Sequence, residues 1–302
     1  MIEKALSAKI SKEIKITDFP ITDISYNYNT SIMCAATYDG RLLLSALDVG
    51  DQNYSQILTP LESISKVKWL NSYEFIIVGN ERFLHHFSIM NLKNVSFEIH
   101  NSSITSLEKH NDIIYTGSTD GKIIVWDISQ KAISDEMIHK VRGKGQPIKD
   151  FKVKDNYLYS STIYKGRMWV WDLRQASKPV YQTETENCQN SLVLCKENVF
   201  SINDQGILKT SLNLQFVEYF YKEPKASLFP PAKIVYSEYF DSFLWNRKDS
   251  LNIKSEHQLL SIKVPDMGGF EPIDINRVLV YTNTGLIFVN EIFENLKWAE
   301  PN

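Results

Sequence analysis

Apolar residues along this chain gather into short runs divided by turn residues, and the pattern is clearest between His100 and Ile128. There an apolar run at 104–107 is followed by a second at 113–117. The turn Thr119-Asp120-Gly121 comes next, and then Ile123-Ile124-Val125-Trp126-Asp127. Asp-Gly between two β-rich runs is a strong hairpin signal, because glycine accepts the positive φ that a tight turn requires. The next unit repeats the order: 148–151, then 157–161, then Gly166-Arg167-Met168-Trp169-Val170-Trp171-Asp172. Weaker copies surround these two, at Tyr38-Asp39-Gly40, Asn80-Glu81-Arg82, Asp204-Gln205-Gly206 and Asn283-Thr284-Gly285, with a degraded copy over 243–251.

Taking Gly40, Arg82, Gly121, Gly166, Gly206, Asp249 and Gly285 as equivalent turn positions gives steps of 42, 39, 45, 40, 43 and 36 residues. Their mean of about 41 falls within the roughly 40 to 45 residues of a four-stranded propeller blade. One such sheet exposes both faces and cannot bury them alone, so blades stack radially around an axis. The spacing therefore predicts an all-β, seven-bladed β-propeller of four-stranded antiparallel blades. Seven blades use up 1–302 and leave no stretch for a second domain.

The unit from His100 to Asp127 resembles a WD repeat almost position for position, with a histidine four residues before the first strand, the Asp-Gly turn and the closing Trp-Asp. The resemblance implies a structural hydrogen-bonded chain from Asp120 through His100 to a hydroxyl of Thr116 or Ser118, and on to the indole of Trp126. It also implies ring closure by an N-terminal strand, for which 10–16 (ISKEIKI) stands ready beside the strands after Gly285; a short helix is the alternative. In the fourth unit the same alignment puts Lys165 at the turn aspartate and Lys144 at the histidine position, so the chain of bonds is not expected there. The first four units are loosely similar to the propellers of the mitotic checkpoint and of messenger-RNA export, which also carry Trp-Asp-x-Arg, here Trp171-Asp172-Leu173-Arg174. That motif also occurs in substrate receptors of cullin ubiquitin ligases, where the arginine contacts the adaptor.

Composition narrows the function. With 33 basic and 36 acidic residues the formal net charge is -3, so the global attraction that nonspecific DNA binders use is missing and nucleic acid is disfavoured as main ligand. Cys34, Cys188 and Cys195 form no disulfide framework and no CxxC zinc spacing. The N-terminal run MIEKALSAKISKEIK interrupts its apolar residues with charge, and no 18-residue apolar run follows, so neither a signal peptide, an anchor nor membrane insertion is expected. Nucleus or cytoplasm is the expected location. No Gly-x-Ser-x-Gly elbow, phosphate-cradling glycine loop or His-Glu-x-x-His is present, so no catalytic residue, cofactor, metal or small-molecule substrate is expected. His85 and His86 are neighbours on a strand and point to opposite faces, so they do not chelate one ion together.

Binding is the better target. In the blade order that the resemblance implies, residues at the second turn of each blade point to a common rim on one face, here called the top: Tyr38, Asn80, Thr119, Tyr164, Asp204, Arg247 and Asn283. Tyr38, Tyr164 and Arg247 are the expected anchors, since tyrosine and arginine combine contact area with polar reach. Two long connections are expected on the same face. The first, 131–147, carries a mobile basic loop with Lys140, Arg142 and Lys144, suited to an acidic or phosphorylated peptide. The second, 221–233, carries Phe229 within Leu228-Phe229-Pro230-Pro231. Three functions follow: a non-catalytic scaffold in a multiprotein complex, a ubiquitin-ligase receptor using Arg174, or an enzyme or nucleic-acid binder using clustered titratable or basic side chains in the central channel.

Overall fold

The structure is a computed structural model and describes residues 2–47, 54–141, 143–164, 166–222, 233–238, 241–247, 249–255, 259–274 and 277–298. Every regular element among them is a β-strand, and seven sheets hold four antiparallel strands each. From the axis outward, blade 1 is Ile21–Asn27, Ile32–Thr37, Arg41–Ala46 and Tyr54–Leu58. Blade 2 is Ile64–Trp69, Glu74–Gly79, Phe83–Ser88 and Lys93–Glu98. Blade 3 is Ile104–His110, Ile113–Ser118, Lys122–Asp127 and Ala132–Ile138, and blade 4 is Ile148–Lys154, Tyr157–Thr162, Arg167–Asp172 and Tyr181–Glu184. Blade 5 is Ser191–Cys195, Asn198–Asn203, Gly206–Ser211 and Val217–Lys222, and blade 6 is Ile234–Ser237, Ser242–Arg247, Ser250–Lys254 and Leu259–Lys263. Blade 7 takes Met267–Pro272, Arg277–Thr282 and Leu286–Trp298 from the end of the chain, and its outer strand, Ile2–Lys15, from the beginning.

The apolar runs of the sequence are the middle strands. In Glu74–Gly79 every residue after the first is buried, whereas the outer strand of the same blade has no buried residue. A strand packed on both faces reads as a continuous apolar run, not as an alternation. The core is accordingly divided into seven apolar clusters, each lying between two neighbouring blades. Polar side chains fasten the innermost strands as well. The Asp23 carboxylate accepts the Val67 amide of blade 2 at 3.1 Å, and Asp150 accepts the Leu192 amide of blade 5 at 2.8 Å. The Thr22 hydroxyl donates to the Ile64 carbonyl at 2.6 Å, and Thr105 donates to that of Ile148 at 2.9 Å. Backbone groups that these inner edges leave open are thereby satisfied.

Closure is made by chain ends, and the expected segment is strand, not helix. Lys15 faces Leu286, Ile14 faces Ile287 and Ile10 faces Asn290, with a register shift between Ile10 and Lys12. Just past this strand, the Ile16 amide bonds the Gly285 carbonyl at 3.2 Å. The same bond recurs from Thr59 to Gly40, His100 to Arg82, His139 to Gly121, Thr185 to Gly166 and Val264 to Asp249. Six of the seven turn positions aligned by spacing are thus equivalent in space. Gly285 has φ of 77°, and a Cβ there would stand 2.1 Å from the Thr17 carbonyl oxygen, so the turn that receives the first strand admits glycine alone.

Ile14 and Ile16 are 3% and 2% exposed and join blades 7 and 1. Ile14→Ala is expected to lower stability by about 2–4 kcal/mol, read by urea unfolding, and removal of residues 2–16 to abolish the cooperative transition.

Candidate functional site

The second turn of each blade and the loop before its innermost strand meet on the top face. In blade 1 the Tyr38 amide bonds the Pro20 carbonyl at 2.9 Å, and in blade 3 the Thr119 amide bonds that of Ser103 at 3.0 Å. Behind the blade 3 turn, His100 Nδ1 lies 3.1 Å from Asp120 Oδ2 and Nε2 lies 2.9 Å from Thr116 Oγ1. Burial pushes the Asp120 carboxyl up, but the His100 bond and the amides of Asn101 and Lys122 outweigh it and hold it below the usual range. Ser118 stands beside this path: its hydroxyl donates to the Ser102 carbonyl and accepts the Asp120 amide. The path ends at Thr116. Trp126 is buried and packs against Phe97 of blade 2, ring centres 5.0 Å apart.

Blade 4 corrects the sequence alignment. Its histidine position is filled by His139 and not by Lys144, because the hairpin Lys140–Val141 with Lys144–Gly145 is inserted between that histidine and the innermost strand. His139 donates its amide to Gly121 as His100 does to Arg82. Its Nε2 lies 2.7 Å from Ser160 Oγ, the residue equivalent to Thr116, and accepts the Trp171 indole N–H at 3.2 Å. The ring also stacks on Trp169 at 4.5 Å with planes 7° apart. A histidine–hydroxyl–tryptophan link therefore forms in the blade where none was expected. Burial drives the His139 pKa down to about 3, against a smaller opposing effect of the Met137 backbone.

The expected anchors divide. Tyr38 and Tyr164 are 60% and 59% exposed at equivalent turns of blades 1 and 4. Arg247, by contrast, is only partly exposed at the end of the second strand of blade 6. Lys140 and Lys144 are exposed, but they sit on a paired hairpin and not on the irregular loop that was expected. Arg142 lies outside the described residues, as do Lys165 and Phe229 with its neighbours 223–232. Arg174 occupies the turn after the third strand of blade 4, on the face opposite the top. Its Nε and Nη2 grip Asp172 at 2.8 and 2.6 Å, and its guanidinium lies over the Tyr157 ring at 5.9 Å. The Arg174 hydrogen bonds hold the Asp172 carboxyl down at about 2.

Clustered titratable groups do line the channel. Lys152 pairs with Glu108 at 2.5 Å, Lys233 with Glu271 at 2.5 Å and Lys66 with Asp23 at 3.7 Å. Burial lowers the Lys68 pKa, but Glu271 and Glu108 outweigh it and keep it raised. Asp150 also acts on Lys152, so the four lysines named here meet four carboxylates, Glu108, Glu271, Asp23 and Asp150. His85 and His86 have separate partners: Asn94 and Ser96 meet His85 Nδ1, while His86 faces Glu74 at 3.5 Å. No group of three or more His, Cys, Asp or Glu among the described residues is placed to hold a metal ion. No helix among them is long and apolar enough to cross a membrane.

The radial ring defines a β-propeller. Within it, residues 92–127 match the family model of the WD domain, G-beta repeat. The matched stretch holds the outer strand of blade 2 and the first three strands of blade 3, so one sequence repeat straddles two blades and ties them together. The chain is a seven-bladed β-propeller in which one stretch, 92–127, matches the WD repeat. No curated protein matches it.

His139 also gives the stability a pH signature. Its folded pKa lies below the ordinary value near 6.5, so between about 6.5 and 3 the unfolded chain binds a proton that the folded chain refuses. Its stabilising contribution is complete above that window and lost as pH falls through it. His139→Gln is expected to flatten the loss of stability between pH 7 and pH 5, measured by urea unfolding at each pH.

Proposed function

We propose that this protein is a non-catalytic interaction scaffold, a subunit of a multiprotein complex that takes a peptide or helix of a partner across its top face or rim. WD-repeat propellers generally bind proteins. One observation carries the reading to particular residues: two exposed tyrosines, Tyr38 and Tyr164, occupy equivalent turns three blades apart in a ring of seven. They stand nearly opposite one another across the channel mouth, so a partner touching both crosses the whole face. Aromatic anchors of this kind lose little conformational entropy on docking. The cysteines, all unpaired, accord with a reducing compartment, nucleus or cytoplasm, as the place of work.

A second reading rests on Arg174. Its bidentate bond to Asp172 and its place over Tyr157 fix an exposed guanidinium on the opposite face, where a cullin-ligase adaptor is the candidate partner.

The two readings separate by mutation. With tagged full-length protein, Tyr38→Ala combined with Tyr164→Ala is expected to lose co-purifying partners, each substitution costing roughly tenfold in affinity, with the thermal midpoint unchanged. Retention of every partner would sink the top-face reading. Arg174→Ala is expected to leave those partners in place; selective loss of a ligase adaptor from that variant would favour the second reading instead.

A further inference from the structure

The hairpin before blade 4 does not serve the ring. Blade 3 passes from His100 to Ile104 directly, whereas blade 4 inserts Lys140–Val141 and Lys144–Gly145 between His139 and Ile148. Yet the insertion is firmly held. Its base is closed by the Gln146 amide on the His139 carbonyl at 2.7 Å. Gly145 lies so close to the blade 3 turn that a Cβ would stand 2.7 Å from the Asp120 carbonyl oxygen. An insertion anchored at its base that the fold does not need is a candidate for function.

What the hairpin builds is one wall of a groove of about 450 Å³, lined by Lys140, Val141, Arg167, Trp169, Gln182, Thr183 and Glu184. Arg167 and Trp169 face Glu184 and Gln182 across neighbouring strands. The Arg167 side chain, 13% exposed, is clamped by Nε on Glu184 at 2.5 Å and by Nη1 on Gln146 at 3.3 Å. Among the described residues its Nη2 has no protein partner, and the Lys140 and Lys144 ammoniums have no counter-ion. No acidic residue occurs between Met137 and Pro147. Two cations line the groove against one carboxylate, which is already engaged, and a third stands at the hairpin beside it.

We propose that this groove docks a phosphorylated serine or threonine in an extended segment of a partner protein, with the phosphate taken between Lys140 and Arg167 Nη2 and Lys144 at the mouth. The proposal rests on the scaffold reading above and names a partner chemistry for it. A clamped guanidinium with a free edge and an ammonium beside it offer more donors than one carboxylate absorbs. A phosphate, with three acceptor oxygens and nearly two negative charges, matches them better.

The test uses the immobilised full chain and three pools of short peptides with randomised flanks, fixed at one position as phosphoserine, serine or glutamate. The phosphoserine pool is expected to be retained roughly tenfold more than either other pool. Lys140→Ser combined with Lys144→Ser is expected to bring retention to the serine level with an unchanged thermal midpoint, and Arg167→Lys, which keeps the charge and removes the fork, to weaken it. Equal retention of the serine pool, equal retention of the glutamate pool, or a phosphoserine preference that survives the lysine substitutions overturns the proposal. Recovery of the same proteins from extract with and without phosphatase treatment overturns it too, while leaving the scaffold reading standing. Recovery of no protein from either extract sinks both.

Discussion

Everything in this molecule depends on one joint, the pairing of Lys9–Lys15 from the start of the chain with Leu286–Glu291 near its end. A four-stranded blade is apolar on both faces, and the structure resolves this by placing an apolar cluster in each of seven gaps between blades. Six of those gaps lie between blades adjacent in sequence. The seventh joins blade 7 to blade 1 through Ile14, Ile16, Ile21, Leu279 and Ile287, and it forms only if the two ends meet. Full burial of a side chain such as isoleucine contributes about 1.5–3 kcal/mol, a large share of the 5–15 kcal/mol typical of net protein stability.

Polar groups act within that frame. In blades 3 and 4, His100 and His139 carry the loop before the blade onto a hydroxyl of its second strand, and in blade 4 onto the indole of its third. Each is therefore a brace behind the top face. The frame holds its loops still, which is the condition for a surface that recognises partners by fixed side chains. The hairpin between His139 and Ile148 shows the same logic: it is clamped at its base and free at its charged edge.

Much of this was legible in the sequence because the signals were local and periodic. Gly40, Gly121, Gly166 and Gly285 all adopt positive φ at turns about forty residues apart or a multiple of it, and only glycine does so without strain. The blade 3 bonds from Asp120 through His100 to Thr116 followed from the resemblance of that unit to a WD repeat. His139 was missed because the spacing of that repeat is not kept: the hairpin moves the histidine away from Ile148, and Lys144 falls where the count of four lands. A histidine followed by Gly-Lys-Gly, the mark of an inserted turn, was the signal available. The partial burial of Arg247 and the groove beside Arg167 depend on contacts between strands distant in sequence, and periodicity does not report those.

The closing joint is tested most directly by amide hydrogen exchange in the intact protein. The closed ring predicts that protected amides of the segment 12–16, among them the Ile16 amide bonded to Gly285, exchange as slowly as those of the second strand of blade 7 and in the same cooperative event. Exchange of that segment within seconds, with blades 2 to 5 still protected, would contradict the account and leave a ring held together without its clasp.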